Sequence, residues 1–169
     1  NTGICCFDNE LLLGALDKLD TDNAQGEYYL TDVVEILATE GHLVSAMMTA
    51  NSQETIGVNT RQHLATAEKV LRNRICKKHM DQGVTIIDPD NTYIGSQVKI
   101  AQDSIIYPFT FIEGKTELGS EVVIGPQCRI INSIVENNVE IESSTVIESE
   151  IGAETTVGPY AYLRPGTKV

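Results

Sequence analysis

Two hydrophobic rhythms divide the chain. In roughly the first eighty residues the apolar positions come in short, mixed groups. Residues 2–7 form an apolar run that predicts a strand, and Leu12, Leu16 and Leu19 then recur at helical spacing before the polar turn Asp20-Thr21-Asp22-Asn23. Thr31 or Asp32 is placed to cap a second helix through Val33, Val34, Ile36 and Leu37, which should stop near Gly41. Residues 43–50 predict a further strand. A third helix should begin at Asn59 or Thr60, either of which can accept a hydrogen bond from an orphan backbone N–H, and carry Leu64, Ala67, Leu71 and Ile75 on one stripe. It ends near Gly83, so about twenty residues span roughly 30 Å, a length suited to a connector between two structural units.

After Gly83 the period changes. Ile94, Ile100, Ile106, Ile112, Leu118, Ile124 and Ile130 fall every six residues, a spacing that fits neither a helix nor a set of hairpins. The pattern shifts by one at Val135, resumes through Ile141 and Ile147, shifts again, and runs Ile151, Val157, Leu163, Val169. A six-residue repeat makes physical sense as one flat face of a three-sided coil, with the aliphatic residue inward and small or turn residues at the corners. Gly95, Gly119, Gly125, Gly152 and Gly158 each follow an aliphatic position, where glycine permits a tight corner and a positive φ. Three buried aliphatic side chains per coil, at roughly 1.5 to 3 kcal/mol each, stabilise a coil only when neighbours cover it. The strictness of the period argues against an antiparallel barrel or sandwich. Parallel crossovers are usually right-handed, but the period itself leaves the hand of the coil open.

Composition sharpens this picture at a few points. Aromatic residues are only 5% with no Trp, so the second half builds its core from Ile and Val. A net charge of -12 argues against nucleic-acid binding by the chain as a whole. Arg61, Lys69, Arg72, Arg74, Lys77 and Lys78 make a basic exception, read as the solvated face of the third helix. Cys5, Cys6, Cys76 and Cys128 lack zinc spacing and are read as free, mostly buried thiols. No run approaches the ~20 apolar residues of a membrane span and nothing resembles a signal peptide, so a cytoplasmic location is expected. The chain opens on Asn1-Thr2-Gly3 without a methionine and stops inside a repeat, so it is expected to be a piece of a longer protein.

Several segments carry a resemblance when taken in order: Asn1-Thr2-Gly3-Ile4, the run 23–32 (Asn-Ala-Gln-Gly-Glu-Tyr-Tyr-Leu-Thr-Asp), Gly57-Val58-Asn59-Thr60-Arg61, the run 83–89 (Gly-Val-Thr-Ile-Ile-Asp-Pro) and Leu163-Arg164-Pro165-Gly166. Together they resemble the bifunctional N-acetylglucosamine-1-phosphate uridyltransferase/glucosamine-1-phosphate N-acetyltransferase family. The resemblance implies that residues 1–59 are the C-terminal part of a Rossmann-like nucleotidyltransferase domain, 60–82 a linker helix, and 83–169 the first coils of a left-handed parallel β-helix of hexapeptide repeats. It implies an enzyme of UDP-N-acetylglucosamine synthesis, on the route to peptidoglycan and the cell wall. Acetyl-CoA would acetylate glucosamine 1-phosphate, and UTP would then be joined to N-acetylglucosamine 1-phosphate with Mg²⁺, releasing pyrophosphate. A homotrimer through the β-helix is implied as well, with no nucleic-acid or membrane partner.

Residue by residue, Asn1 matches the family asparagine that binds the sugar of UDP-N-acetylglucosamine, a role suited to an amide that both donates and accepts. Asn59 matches an asparagine that ligates Mg²⁺ through its hard amide oxygen at the same site. Arg164 matches the arginine that holds the sugar phosphate in the acetyltransferase site, where a planar bidentate donor fits. The family's glycine-rich nucleotide loop and metal-binding aspartate fall upstream of Asn1, and its catalytic histidine and acetyl-CoA contacts fall beyond Val169. No catalytic residue is therefore expected within the chain, and the isolated chain is expected to be inactive. His42, His63 and His79 are read as surface or helix residues. Two rival readings are a sugar nucleotidyltransferase whose β-helix serves only oligomerisation or regulation, and a purely structural solenoid that self-associates.

Overall fold

The computed structural model describes residues 2–169, which divide into two compact units at Val58/Asn59. In the first unit, α1 (Asn9–Leu16) starts where Asp8 accepts from the backbone N–H groups of Glu10 (3.0 Å) and Leu11 (3.2 Å). The second helix, α2 (Asp32–Thr39), has Thr31 at its N-cap position, yet the Thr31 side chain makes no cap bond. It closes with His42 N–H donating to the Leu37 carbonyl (3.0 Å) and Gly41 N–H to Ala38 (3.1 Å), the paired bonds of a Schellman stop. Ala15, Val33 and Leu37 form a small core between the helices, with Phe7, Leu11, Leu12, Leu19 and Ile36 packed around it.

Two expectations fail in this unit. Residues 2–7 and 43–50 form no strand among the described residues. A strand is defined by its ladder, and an apolar run with no neighbour to bond remains a loop. The consequence is exposure, at 98% for Leu43 and 97% for Met47.

The second unit begins with α3 (Arg61–Asp81), capped by the Thr60 hydroxyl, which accepts from His63 N–H (3.1 Å). Of the two caps left open by the sequence, the chain uses Thr60. The stripe that meets the solenoid differs from expectation: Cys76 and His79 are buried with Arg72 and Ile75 beside them, while Leu64 and Leu71 stay exposed. The helix meets the first coil through Lys69, Arg72, Ile75 and Cys76, so Leu64 and Leu71 of the predicted stripe find no cover there. Gly83, at φ +91°, ends the helix as Val84 N–H donates to the His79 carbonyl (3.1 Å) and Gly83 N–H to Met80 (3.1 Å).

From Thr85 the chain winds into a parallel β-solenoid of about five turns with three sheet faces. Face one stacks β1 (Thr85–Ile86), β4 (Ile105–Ile106), β7 (Val123–Ile124), β10 (Glu140–Ile141) and β13 (Thr156–Val157). Face two stacks β2 (Thr92–Ile94), β5 (Thr110–Glu113), β8 (Arg129–Ile131), β11 (Thr145–Ile147) and β14 (Tyr162–Leu163). Face three stacks β3 (Lys99–Ile100), β6 (Glu117–Leu118), β9 (Ile134–Val135) and β12 (Glu150–Ile151). Inward positions line up in register, as in Ile94, Ile112, Ile130, Val146 and Leu163 along face two.

That register corrects one residue. Val146, fully buried, is the inward partner of Ile130, whereas Ile147 pairs with Ile131 and stays part-exposed. Three corners are one residue short, and each places a buried serine (Ser133, Ser144 or Ser149) before the next strand. Their hydroxyls donate to the carbonyls two residues back, Ile131 (2.8 Å), Glu142 (2.6 Å) and Ile147 (2.8 Å), so the tight corner buries no unpaired oxygen.

The glycine expectation also needs correction. Of Gly95, Gly119, Gly125, Gly152 and Gly158, only Gly158 has a positive φ. The left-handed position lies two residues further on, at Glu121, Gln127, Glu154 and Tyr160, and such residues recur at other corners. Each strained residue, which costs roughly 1–2 kcal/mol, is offset by a bond to the coil before it. Asp103 N–H donates to Gly83 (2.9 Å), Asn138 to Ser120 (3.0 Å) and Glu154 to Asn137 (3.1 Å). Glycine answers a different demand, close approach: a β-carbon at Gly119 would stand 2.8 Å from the Asn137 backbone nitrogen.

Candidate functional site

The sequence-predicted residues fall into separate places. Asn1 lies outside the described residues. Asn59 precedes α3, and its backbone N–H donates to His63 Nδ1 (3.4 Å). Because Thr60 does the capping, the exposed Asn59 amide is left with no hydrogen-bond partner among the described residues. Its oxygen fits as one hard donor to Mg²⁺. It stands without a ligand set, since no group of three or more His, Cys, Asp or Glu among the described residues is placed to hold a metal.

Arg164 follows β14 on face two. Strand alternation sends Tyr162 and Arg164 outward and Leu163 toward the core. The backbone of this corner is tightly bonded. The Arg164 carbonyl accepts from Thr167 N–H (3.1 Å), the Thr167 hydroxyl (2.7 Å) and the buried Ser149 hydroxyl (3.0 Å). Gly166 N–H donates to the Glu148 carbonyl (2.8 Å), tying the corner to the coil above. The Arg164 side chain itself is exposed and makes no ion pair among the described residues. A guanidinium presented this way can take a phosphate or carboxylate through two parallel N–H donors.

The basic stretch of α3 is largely committed to structure. Lys69 pairs with Asp90 (3.3 Å), Lys77 with Asp81 (3.0 Å) and Arg72 with Glu68 (3.5 Å). Arg72 also lies over the Tyr93 ring (4.6 Å), which stacks on Phe111 (4.5 Å, 6° between planes). This column pins α3 to face two and closes one side of a shallow cavity lined by Glu68, Arg72, Tyr93 and Glu113.

Neither the cysteines nor the histidines assemble a nucleophile. All four thiols are free, but Cys5 and Cys6 are exposed, so only Cys76 and Cys128 meet the expectation of burial. Burial pushes both buried thiols above their usual range, against the opposing charge of Arg72 at Cys76 and the backbone N–H groups of Ser144 and Ser143 at Cys128. They are protonated packing residues, not thiolates. His42 is exposed and His63 sits in the first turn of α3, as expected of surface or helical residues. His79 is helical but buried, and burial together with Lys78 lowers its pKa.

Sequence reading missed the bonds that hold Arg164. Its signal was present in the serine at each short corner and the threonine one residue after Pro165-Gly166, but pairing across coils shows only in the fold.

A three-faced coil of hexapeptide rungs with an outward arginine at a Pro-Gly corner places the chain among the hexapeptide-repeat parallel β-solenoids. No family model matches the chain. Comparison with curated proteins does identify relatives over its full length: it is 52% identical to the bifunctional protein GlmU of Geobacillus sp. (strain WCH70) and 51% identical to that of Clostridium novyi (strain NT). The same protein of Clostridium beijerinckii is 50% identical, again over all 169 residues. The chain belongs to the bifunctional GlmU family. It spans 37% of the length of these relatives.

Proposed function

We propose that this chain is a segment of the bifunctional enzyme of UDP-N-acetylglucosamine synthesis, and that it contributes parts of two active sites while completing neither. The supporting observation is identity of about half the residues across the whole chain with bifunctional GlmU proteins. In this reading residues 1–59 end a nucleotidyltransferase domain, 60–82 link, and 83–169 begin an acetyltransferase β-helix whose hand is left and which assembles as a homotrimer. The enzyme works in the cytoplasm and feeds cell-wall peptidoglycan.

In acetyl transfer, the amine of glucosamine 1-phosphate attacks the thioester carbonyl of acetyl-CoA, the C–S bond breaks, and an amide and free CoA thiol result. Arg164 binds and orients the sugar phosphate, keeping the amine at a fixed distance from the donor. In uridyl transfer, a phosphate oxygen of N-acetylglucosamine 1-phosphate attacks the α-phosphorus of UTP and pyrophosphate leaves. Asn1 holds the sugar through its amide, and Asn59 supplies one oxygen ligand. Mg²⁺, when bound, offsets the negative charge that develops on the phosphates.

Both half-reactions should be assayed on residues 1–169 and on the full-length enzyme. The expected result is turnover of both by the full-length enzyme and none above a buffer blank by the segment. Turnover by the segment would overturn its assignment as an incomplete part of two sites.

A further inference from the structure

We infer that Ser149 and Thr167 are positioning residues for Arg164, fixing the root of its side chain so that the guanidinium meets a sugar phosphate already oriented. The inference rests on the reading of Arg164 as the phosphate-binding residue. Its own support is the bonding of the corner. A carbonyl oxygen has two lone pairs, yet the Arg164 carbonyl faces Thr167 N–H (3.1 Å), Thr167 Oγ1 (2.7 Å) and Ser149 Oγ (3.0 Å), whose single proton is shared with the Ile147 carbonyl (2.8 Å). Two of these donors come from its own corner and one from the coil above, so the peptide plane is braced from two directions.

Other features point the same way. Pro165 restricts the backbone of Arg164 to extended conformations, so the carbonyl cannot swing into a helical turn. Gly166 N–H anchors to the Glu148 carbonyl (2.8 Å). Ser149 is 2% exposed, and it is held in turn, because its N–H donates to Ser133 Oγ (3.1 Å), and Ser133 N–H reaches Thr116 Oγ1 (3.4 Å). A column of buried hydroxyls thus runs down one corner of the solenoid and ends on the arginine's peptide group. A core that needed only volume at these positions would be filled by valine or alanine. A hydroxyl aimed at the Arg164 carbonyl adds direction.

The energetic meaning is preorganisation. An exposed arginine loses rotamer freedom when it grips an anion, and a rigid backbone beneath it reduces the further ordering that binding demands. Weakening the brace should therefore weaken capture of the sugar phosphate without altering the acetyl donor's site.

The test is steady-state acetyl transfer by the full-length enzyme carrying Thr167→Val, Ser149→Ala, both, Thr167→Ser, or Arg164→Ala. For Thr167→Val the KM for glucosamine 1-phosphate should rise about threefold, and for the double variant about tenfold, as loss of one or two ordinary hydrogen bonds implies. The KM for acetyl-CoA should stay unchanged, kcat should change by less than about twofold, and Thr167→Ser should restore the parent value. Should Ser149→Ala misfold, as a melting curve would reveal, Thr167→Val carries the test from its half-buried position. A normal KM in Thr167→Val and the double variant, beside a large rise in Arg164→Ala, would overturn the positioning role and leave the reading of Arg164 standing. Parallel loss of kcat and of affinity for both substrates would reduce the two hydroxyls to a structural part and also overturn it. A normal KM in Arg164→Ala would instead defeat the reading on which the inference rests.

Discussion

The two units handle the same problem, apolar chain in water, in opposite ways. In residues 2–58 the buried core comprises Ala15, Val33 and Leu37, and Ile4, Leu43, Met47 and Met48 stand in solvent. In residues 59–169 a continuous column of aliphatic side chains runs from Val84 to Val157, and each coil covers the one before it. The difference is one of partner distance. A solenoid strand finds its neighbour sixteen to twenty residues away, as in Ile141↔Val157 and Ile86↔Ile106, so pairing is supplied locally by the repeat. The apolar runs of the first unit have no such neighbour.

The contrast can be broken most strongly at Ile124, fully buried on face one. Ile124→Ala should cost about 2–5 kcal/mol in urea denaturation of the second unit, whereas Leu43→Ala, at a 98% exposed position, should change stability by less than about 0.5 kcal/mol. A similar loss at both positions would mean that Leu43 is packed rather than exposed. Next in size is Gly119→Ala, where the added carbon meets the Asn137 backbone; overpacking of this kind should cost about 1–3 kcal/mol. An unchanged melting temperature would show that the coils are free to move apart.

Smaller still is the pair of threonine caps. Thr60→Ala removes a real cap bond and should cost about 1 kcal/mol, while Thr31→Ala, with no cap bond to lose, should be close to neutral. Equal effects would place the stabilisation in the unfolded chain. The smallest effect concerns pH. The His79 pKa is lowered from 6.5 by burial and then by Lys78, so the folded state gives up its proton more readily than the unfolded one. Its contribution is complete above 6.5 and is lost as pH falls through the lower folded value. The urea midpoint should decrease from about pH 7.5 to about pH 5.5, and His79→Gln should flatten that decline.

How much was legible in the sequence follows the same division. Unbroken hexads from Ile94 to Ile130 announced the coil because period alone defines it. Register slipped at Ile147 because a corner shortened by one residue moves the inward position to Val146, and two adjacent aliphatics give no local sign of which one turns in. Apart from Gly158, the corner glycines were recognised for the wrong reason, since crowding between coils is invisible in one strand. Strands at 2–7 and 43–50 were read from apolar composition, which does not supply a partner. Arg164 was singled out by its motif, and the bonds of Ser149 and Thr167 to its carbonyl were not, because they depend on how the corner closes and on the coil before it.

The central claim is that one chain serves two separate reactions, and a paired substitution in the full-length enzyme tests it most directly. Asn59→Ala and Arg164→Ala should be assayed for both activities under the same conditions. The account predicts a double dissociation: Asn59→Ala lowers kcat/KM for uridyl transfer more than tenfold and spares acetyl transfer, and Arg164→Ala does the reverse, each by the loss of a charge-bearing or metal-bearing contact of roughly 1.5–3 kcal/mol. Loss of the same activity in both variants, or of neither, would contradict it.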